Sequence, residues 1–407
     1  MCPEVQRSLL GRAPRRGGQD ILAVMGHVVL NALLLSQAAS YRGAGISAYE
    51  RHLITAMAAV GREMTLTAVI AEPNWQAPAP VRTYRAPGWT RRPLLRILWE
   101  QAWLPTVVRR FKAHLLHGLA FVTPVWNASI PHVVTVHDLS FVRFPETLPA
   151  WKARYLRWFT RRSLKQAARI IAVSHSTRRD ILQWLNLRPE RVVAVHNGVE
   201  SRFRPLPAEE VAAWRARRGL PERFVLYLGT LQPRKNLETL VRAFARWRQR
   251  GGAYTRDVVL VLAGARGWFY DHLFRLVKDL GLDRYVLFPG YVPAEDLPWW
   301  YNAATVFAYP SLFEGFGLPV LEAMACGTPV LVANTSSLPE IVGDAGCLLP
   351  PQDVDAWANA LHDVMTLPEK RREMAEQGLA RAGMFSWERT AQQTLAVYQD
   401  VLESVHE

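Results

Sequence analysis

The chain repeats one arrangement twice. Short, continuous apolar runs alternate with longer stretches of helical periodicity. The first series of runs covers residues 28–35, 65–70, 133–137, 170–174 and 192–196, and the second covers 224–229, 258–264, 286–288, 305–309 and 329–333. Helical stretches lie between them, such as 47–60, 176–185, 237–250 and 271–280. Strands that are apolar on both faces and separated by helices form parallel sheets covered on both sides. Two such series predict an α/β chain with two doubly wound domains. A length of 407 residues, 50% of them hydrophobic, suffices for a core in each. Pro205, Pro207 and a run of arginines mark a connector over 200–221. The predicted domains are therefore 1–200 and 201–384, with a terminal helix over 385–407 that crosses back onto the first.

The start of the chain has two readings. Arg12, Arg15 and Arg16 precede a mostly apolar stretch, which looks like a secretory signal. The preferred reading is a buried strand from 27 to 35, because a glycine-rich turn and a helix follow directly. Residues 1–24 are then a disordered or mis-started lead, with Met25 as an alternative start. The three cysteines, Cys2, Cys326 and Cys347, are scattered and odd in number, so neither a disulfide framework nor a CxxC metal site is suggested. This fits a reducing cytoplasm.

The formal charge of +14 allows nucleic acid, an anionic membrane surface or phosphorylated small molecules as partners. No zinc finger, basic zipper or RNA-binding aromatic signature is present, which sets nucleic acid aside. Two basic, aromatic stretches, 89–112 and 151–162, suit the inner face of an anionic membrane. The plainer reading is a helix that packs its aromatics inward and shows its arginines to water.

The densest chemistry lies between Ser311 and Ala323. Glu314 and Glu322 stand eight positions apart, with two glycines and a proline between them. Pro319 fits the first turn of a helix running to about Cys326, with Gly327 where a helix stops. The free amides of Phe316, Gly317 and Leu318 then suit a phosphate, and the carboxylates suit hydroxyls. A nucleotide sugar carries both. Glu322 sits in an otherwise apolar helix, where a charge needs a partner.

Arg234 and Lys235 lie between an apolar strand and a helix for which Asn236 is the expected N-cap. Ligands of open α/β sheets bind at that edge, and two adjacent cations neutralise a diphosphate. His137 and Asp138 close another apolar strand on the same kind of edge. The turn from Arg42 to Ala48, with Gly43 and Gly45, matches a loose dinucleotide pattern that is weak alone. It is either an NAD-type turn with Glu72 as its ribose acid or a turn that lets backbone approach a phosphate or sugar. The second is preferred, because a dehydrogenase leaves the glutamate pair and the cationic turn unexplained. Asp353-Val354-Asp355 resembles a metal-binding DxD, but its position after two prolines marks a helix start, and no metal is predicted.

Together these residues resemble the retaining glycosyltransferases of family 4, also called group 1, with the GT-B fold. The resemblance spans nearly the whole chain and includes Val173-Ser174, Asn197-Gly198-Val199 and the segment from Leu338 to Asp344. It implies two Rossmann-like domains facing a cleft. It also implies transfer of a hexose from GDP-mannose or UDP-glucose to a saccharide, a polyprenyl-linked oligosaccharide or another glycolipid, without metal or further cofactor. By this resemblance Arg234 and Lys235 hold the diphosphate and Glu322 the ribose. Glu314, with Phe316, Gly317 and Leu318, holds the sugar. The main chain of Val292 meets the base, His137 lies near the sugar, and Gly43 and Gly45 near the phosphates. Ser336-Ser337 departs from a glycine pair common in the family. Ser337 and Glu340 have the spacing of a capping box. A sugar-nucleotide epimerase and a non-catalytic partner subunit share the fold class and stand as alternatives.

Overall fold

A computed structural model describes residues 26–36, 44–61, 63–126, 130–252, 254–265 and 271–406. The expectations for residues 1–24 and for Gly43 fall outside them. Two wholly parallel sheets form the frame. The first contains β1 (His27–Asn31), β2 (Thr65–Ile70), β3 (Arg82–Arg85), β4 (Leu115–Gly118), β5 (His132–Val136), β6 (Arg169–Ala172) and β7 (Val192–Ala194). Its spatial order is β3-β2-β1-β4-β5-β6-β7. The second contains β8 (Phe224–Leu228), β9 (Val259–Ala263), β10 (Val286–Gly290), β11 (Val306–Tyr309), β12 (Val330–Ala333) and β13 (Cys347–Leu349), in the order β10-β9-β8-β11-β12-β13.

Every residue of β1, β5, β8 and β11 is buried. Such strands need cover on both faces, and the helices between them supply it. Strand order reverses between β1 and β4 in one sheet and between β8 and β11 in the other. At such a reversal the flanking connections leave in opposite directions and open a crevice beyond the strands' carboxyl ends.

Several expectations need correction. β1 ends at Asn31 and not at residue 35, and β3, β4 and β13 had no counterpart in the apolar pattern. β3 reads Arg-Thr-Tyr-Arg and is half exposed at an edge, so it carries no apolar run. β4 and β13 are short, with four and three residues. The helix after the first glutamate runs Leu318–Ala325, one residue earlier than the proline suggested.

The helix Trp387–His406 lies against the first half. Tyr398 meets His117 of β4, and Asp400 pairs with Arg169 at 2.8 Å. Beside its start, the Val199 amide donates to the Phe385 carbonyl at 3.2 Å, so the two chain crossings between halves run side by side.

Candidate active site

The cationic turn and the first glutamate come from the two strands that flank the second sheet's reversal. Arg234 and Lys235 sit in the one-turn helix Pro233–Lys235 just beyond β8, and Glu314 lies in the loop after β11. Lys235 Nζ donates to Glu314 Oε1 and, at 2.7 Å, to the Tyr309 hydroxyl. Arg234 donates to the Phe313 carbonyl and stands 3.5 Å from Glu314 Oε2. These side chains are almost wholly buried. Burial alone pushes the Glu314 carboxyl up, but Lys235 and Arg234 outweigh it and hold the group at about 2. Glu314 is therefore an anion at any physiological pH; burial pushes the Lys235 ammonium down, with Glu314 opposing.

Glu322 has a different environment. It lies on the helix Leu318–Ala325, where Tyr301 donates to its Oε2 at 2.8 Å. The partner that a carboxylate in an apolar helix needs is here a hydroxyl. Burial pushes its pKa up to about 7, with Tyr301 opposing. The two glutamates thus differ in kind: one is permanently ionised, the other titrates near neutrality.

The loop between them exposes main chain. Gly317 has φ +109°, a left-handed conformation that a glycine adopts without strain, and heads the helix. Among the described residues, the amides of Phe316, Gly317 and Leu318 donate to no protein acceptor. The loop is clamped from behind. Ser337 Oγ donates to the carbonyls of Glu314 and Phe316 at 3.0 and 2.8 Å, and the Glu314 amide donates to Ser336 Oγ at 2.8 Å. Ser337 therefore does not cap its own helix, so the expected capping box with Glu340 does not form. Asn236 likewise stands at the head of its helix without capping it. Its left-handed φ of +56° turns the side chain to the carbonyls of Pro310 and Pro351.

The first half approaches this loop closely. His137 follows β5, and its Nε2–H donates to the Leu119 carbonyl at 2.8 Å, which leaves Nδ1 as the acceptor nitrogen. Burial drives its pKa down to about 4, against the Leu119 carbonyl and Asp138, so the ring is neutral. The His137 carbonyl lies against Gly315: an added Cβ there would sit 1.7 Å from it. Asp138 adds negative charge facing Arg234. His137, Arg234, Lys235 and Glu314 thus belong to one region where the halves meet.

The remaining expected residues are less engaged. Val292 follows β10 with its side chain buried in the core, so only its main chain is left for a ligand. Gly45 is exposed near the start of the helix Ala44–Val60, and an added Cβ would meet nothing within 4 Å. Asp353 accepts from the amides of Asp355 and Ala356 at 3.1 and 3.0 Å and caps the helix Val354–Thr366, while Asp355 pairs with Arg246. Sequence reasoning missed Gly315, Tyr301 and Tyr309. Tyr309 had a usable signal, since it is the polar end of an apolar strand; Tyr301, inside a short helix, had none.

A parallel two-sheet frame with a charged cluster at a sheet reversal defines a two-domain α/β protein with a candidate site where its halves meet. The comparisons with known proteins agree. Residues 211–381 match the family model "Glycosyl transferases group 1", and residues 43–203 match "Glycosyltransferase Family 4". The O-antigen chain mannosyltransferase B of Escherichia coli is 39% identical over 319 residues, covering 76% of this chain and 81% of that protein. A serotype-specific mannosyltransferase WbdA, also from Escherichia coli, is 32% identical over 251 residues, which are 60% of this chain and 30% of that longer one. Among solved structures, sucrose-phosphate synthase from Thermosynechococcus elongatus superposes with a TM-score of 0.75 at 26% identity, over 93% of this chain and 100% of that one. The chain belongs to the group 1, family 4 glycosyltransferases and has their GT-B fold. The dehydrogenase alternative falls with that membership.

Proposed function

We propose that this protein is a retaining, metal-independent hexosyltransferase that moves mannose from GDP-mannose to a hydroxyl of a saccharide. The observation that carries this reading is the joining of Arg234, Lys235 and Glu314 at the sheet reversal, opposite His137 of the other half. Breaking the bond between sugar and phosphate builds negative charge on the diphosphate. Arg234, Lys235 and the amides of Phe316, Gly317 and Leu318 stabilise that charge without reorganising. Glu314 takes sugar hydroxyls, Glu322 the ribose, and the main chain of Val292 the base. Gly45 approaches the phosphates when the cleft closes. His137, neutral with Nδ1 open, accepts a hydroxyl of the sugar.

Retention is supported by what the carboxylate beside the sugar is unable to do. Glu314, held at about 2 between two cations, is a poor base. An oxygen of the departing phosphate is then the acceptor of the incoming hydroxyl's proton, on the face from which that phosphate leaves. Metal independence is supported by two cations and three amides at the place a divalent ion would serve, and by the commitment of Asp353 and Asp355 to a helix cap and an ion pair. The names of the relatives favour mannose; UDP-glucose is the competing donor.

An acceptor carried on an anionic membrane suits the first half. Trp89, Trp103, Trp126, Trp151 and Trp158 are all exposed there. The helix Ala150–Gln166 buries Ala153, Thr160, Ser163 and Leu164, leaving tryptophan and arginine outside. Trp at headgroup depth beside arginine is favourable on an anionic surface. No helix among the described residues is long and apolar enough to cross a membrane.

A thermal-shift panel of GDP-mannose, UDP-glucose and NAD tests the donor. A ligand at 100 times its Kd stabilises by about 2.7 kcal/mol. Stabilisation by GDP-mannose is expected; a response to NAD alone overturns the reading.

A further inference from the structure

Outside the reacting centre, one carboxylate of the second half is committed to the first. Glu340 lies on the helix Leu338–Val342. Its Oε1 accepts from the His175 amide at 2.9 Å and its Oε2 from the Ser176 amide at 3.1 Å. Those amides open the helix His175–Leu185 of the first half. An α-helix begins with amides that have no partner in their own helix. Here Ser174 Oγ serves Thr177 at 2.9 Å, and the amides of His175 and Ser176 are served from the other half. The positive end of the helix dipole favours the carboxylate in that place. His196 Nε2 lies 3.2 Å from Glu340 Oε1 and adds a third contact from the first half.

The same helix turn also holds the catalytic loop. Thr177 Oγ1 donates to the Gly315 carbonyl at 3.1 Å, next in sequence to Glu314. Ser336 and Ser337, in the turn before Glu340, bind the main chain of Glu314 and Phe316. The short segment that carries Ser337 and Glu340 therefore holds the loop at one end and the helix start at the other, and Thr177 binds back to the loop.

We propose that Glu340 is a positioning residue for sugar transfer: by capping the helix His175–Leu185 across the cleft, it stations the Glu314–Phe316 loop against His137 in the closed protein. It touches no reactant. Separation of the halves leaves the amides of His175 and Ser176 to water and frees the loop's outer side. The claim about turnover rests on the transferase reading above; the claim about the cap does not.

Two readouts on the full chain test it. Hydrogen exchange at the amides of His175 and Ser176 is followed in the wild type, Glu340→Gln and Glu340→Asp. A glutamine offers one acceptor oxygen where the carboxylate offers two, so exchange there is expected to quicken by roughly 10-fold or more, the loss of one hydrogen bond to a charged group. Turnover of Glu340→Gln is expected to fall roughly 10- to 100-fold, with GDP affinity within about 3-fold of wild type. Aspartate retains both oxygens and recovers part of the rate. Unchanged exchange overturns the cap, whatever the donor proves to be. Quickened exchange with wild-type turnover, or an equal loss of GDP affinity, overturns the positioning role. Absence of transfer by the wild type counts against the transferase reading, and exchange then decides the cap alone.

Discussion

Gly315 lies against the carbonyl of His137 so closely that an added Cβ would sit 1.7 Å from the oxygen. The two residues belong to different halves, and backbone meets backbone there. No side-chain movement relieves such an overlap. Gly315→Ala is therefore expected to hold the halves apart while each sheet folds normally. Misplacement of about 1 Å at a reacting centre costs roughly 100-fold, so kcat/KM should fall by about that factor. Circular dichroism and the unfolding midpoint should stay near wild type. A variant with normal kcat/KM shows that the contact is not needed for transfer.

Arg234 and Lys235 are expected to act on the transition state more than on binding. Replacing either by alanine removes one preorganised positive group, a loss of roughly 100- to 1,000-fold in kcat. The variants also leave Glu314 buried with one cation in place of two, so its pKa should rise from about 2 toward its ordinary value. Steady-state kinetics separate this from a binding defect, which raises KM alone.

Glu322 predicts a pH dependence. Its folded pKa, about 7, is raised above the ordinary value of 4.5. The folded state thus holds the proton more tightly than the unfolded state, so this group's contribution to stability is full below about 4.5 and is lost as pH rises through about 7. Glu322→Gln should remove that decline, as measured by urea unfolding between pH 5 and 8. Donor affinity should move the opposite way, because the ionised carboxylate is the stronger acceptor of ribose hydroxyls. Calorimetry with GDP-mannose, whose phosphates do not titrate near 7, should show tighter binding at pH 8 than at pH 6. That difference should be absent in Glu322→Gln.

Ser337 is fully buried and serves two carbonyls of the glutamate loop. Ser337→Ala leaves both without that donor, at a cost of about 1–3 kcal/mol. Chemical denaturation measures the loss directly. A neutral result shows that water replaces the hydroxyl.

The site was legible in sequence where its parts are local. Pro319 and Gly327 bracket a helix, and Arg234-Lys235 stand where an apolar strand gives way to a helix, so both strand ends could be placed on a ligand-binding edge. Contacts across the cleft were not legible. Ser337 and Glu340 have the spacing of a local cap, yet Glu340 serves amides 165 and 164 positions away. Asn236 has the right residue type for a cap, but a left-handed backbone redirects its side chain. Sequence spacing carries the first kind of information. The second arises only when two domains meet, which no periodicity records.

The most direct test mixes the protein with GDP-mannose and a saccharide acceptor and follows GDP release together with the anomeric proton of the product. The account predicts equal amounts of GDP and an α-linked mannoside, formed in the presence of EDTA, and roughly 100- to 1,000-fold slower with Lys235→Ala. A β-linked product, a metal requirement, or an undiminished rate in Lys235→Ala would contradict it.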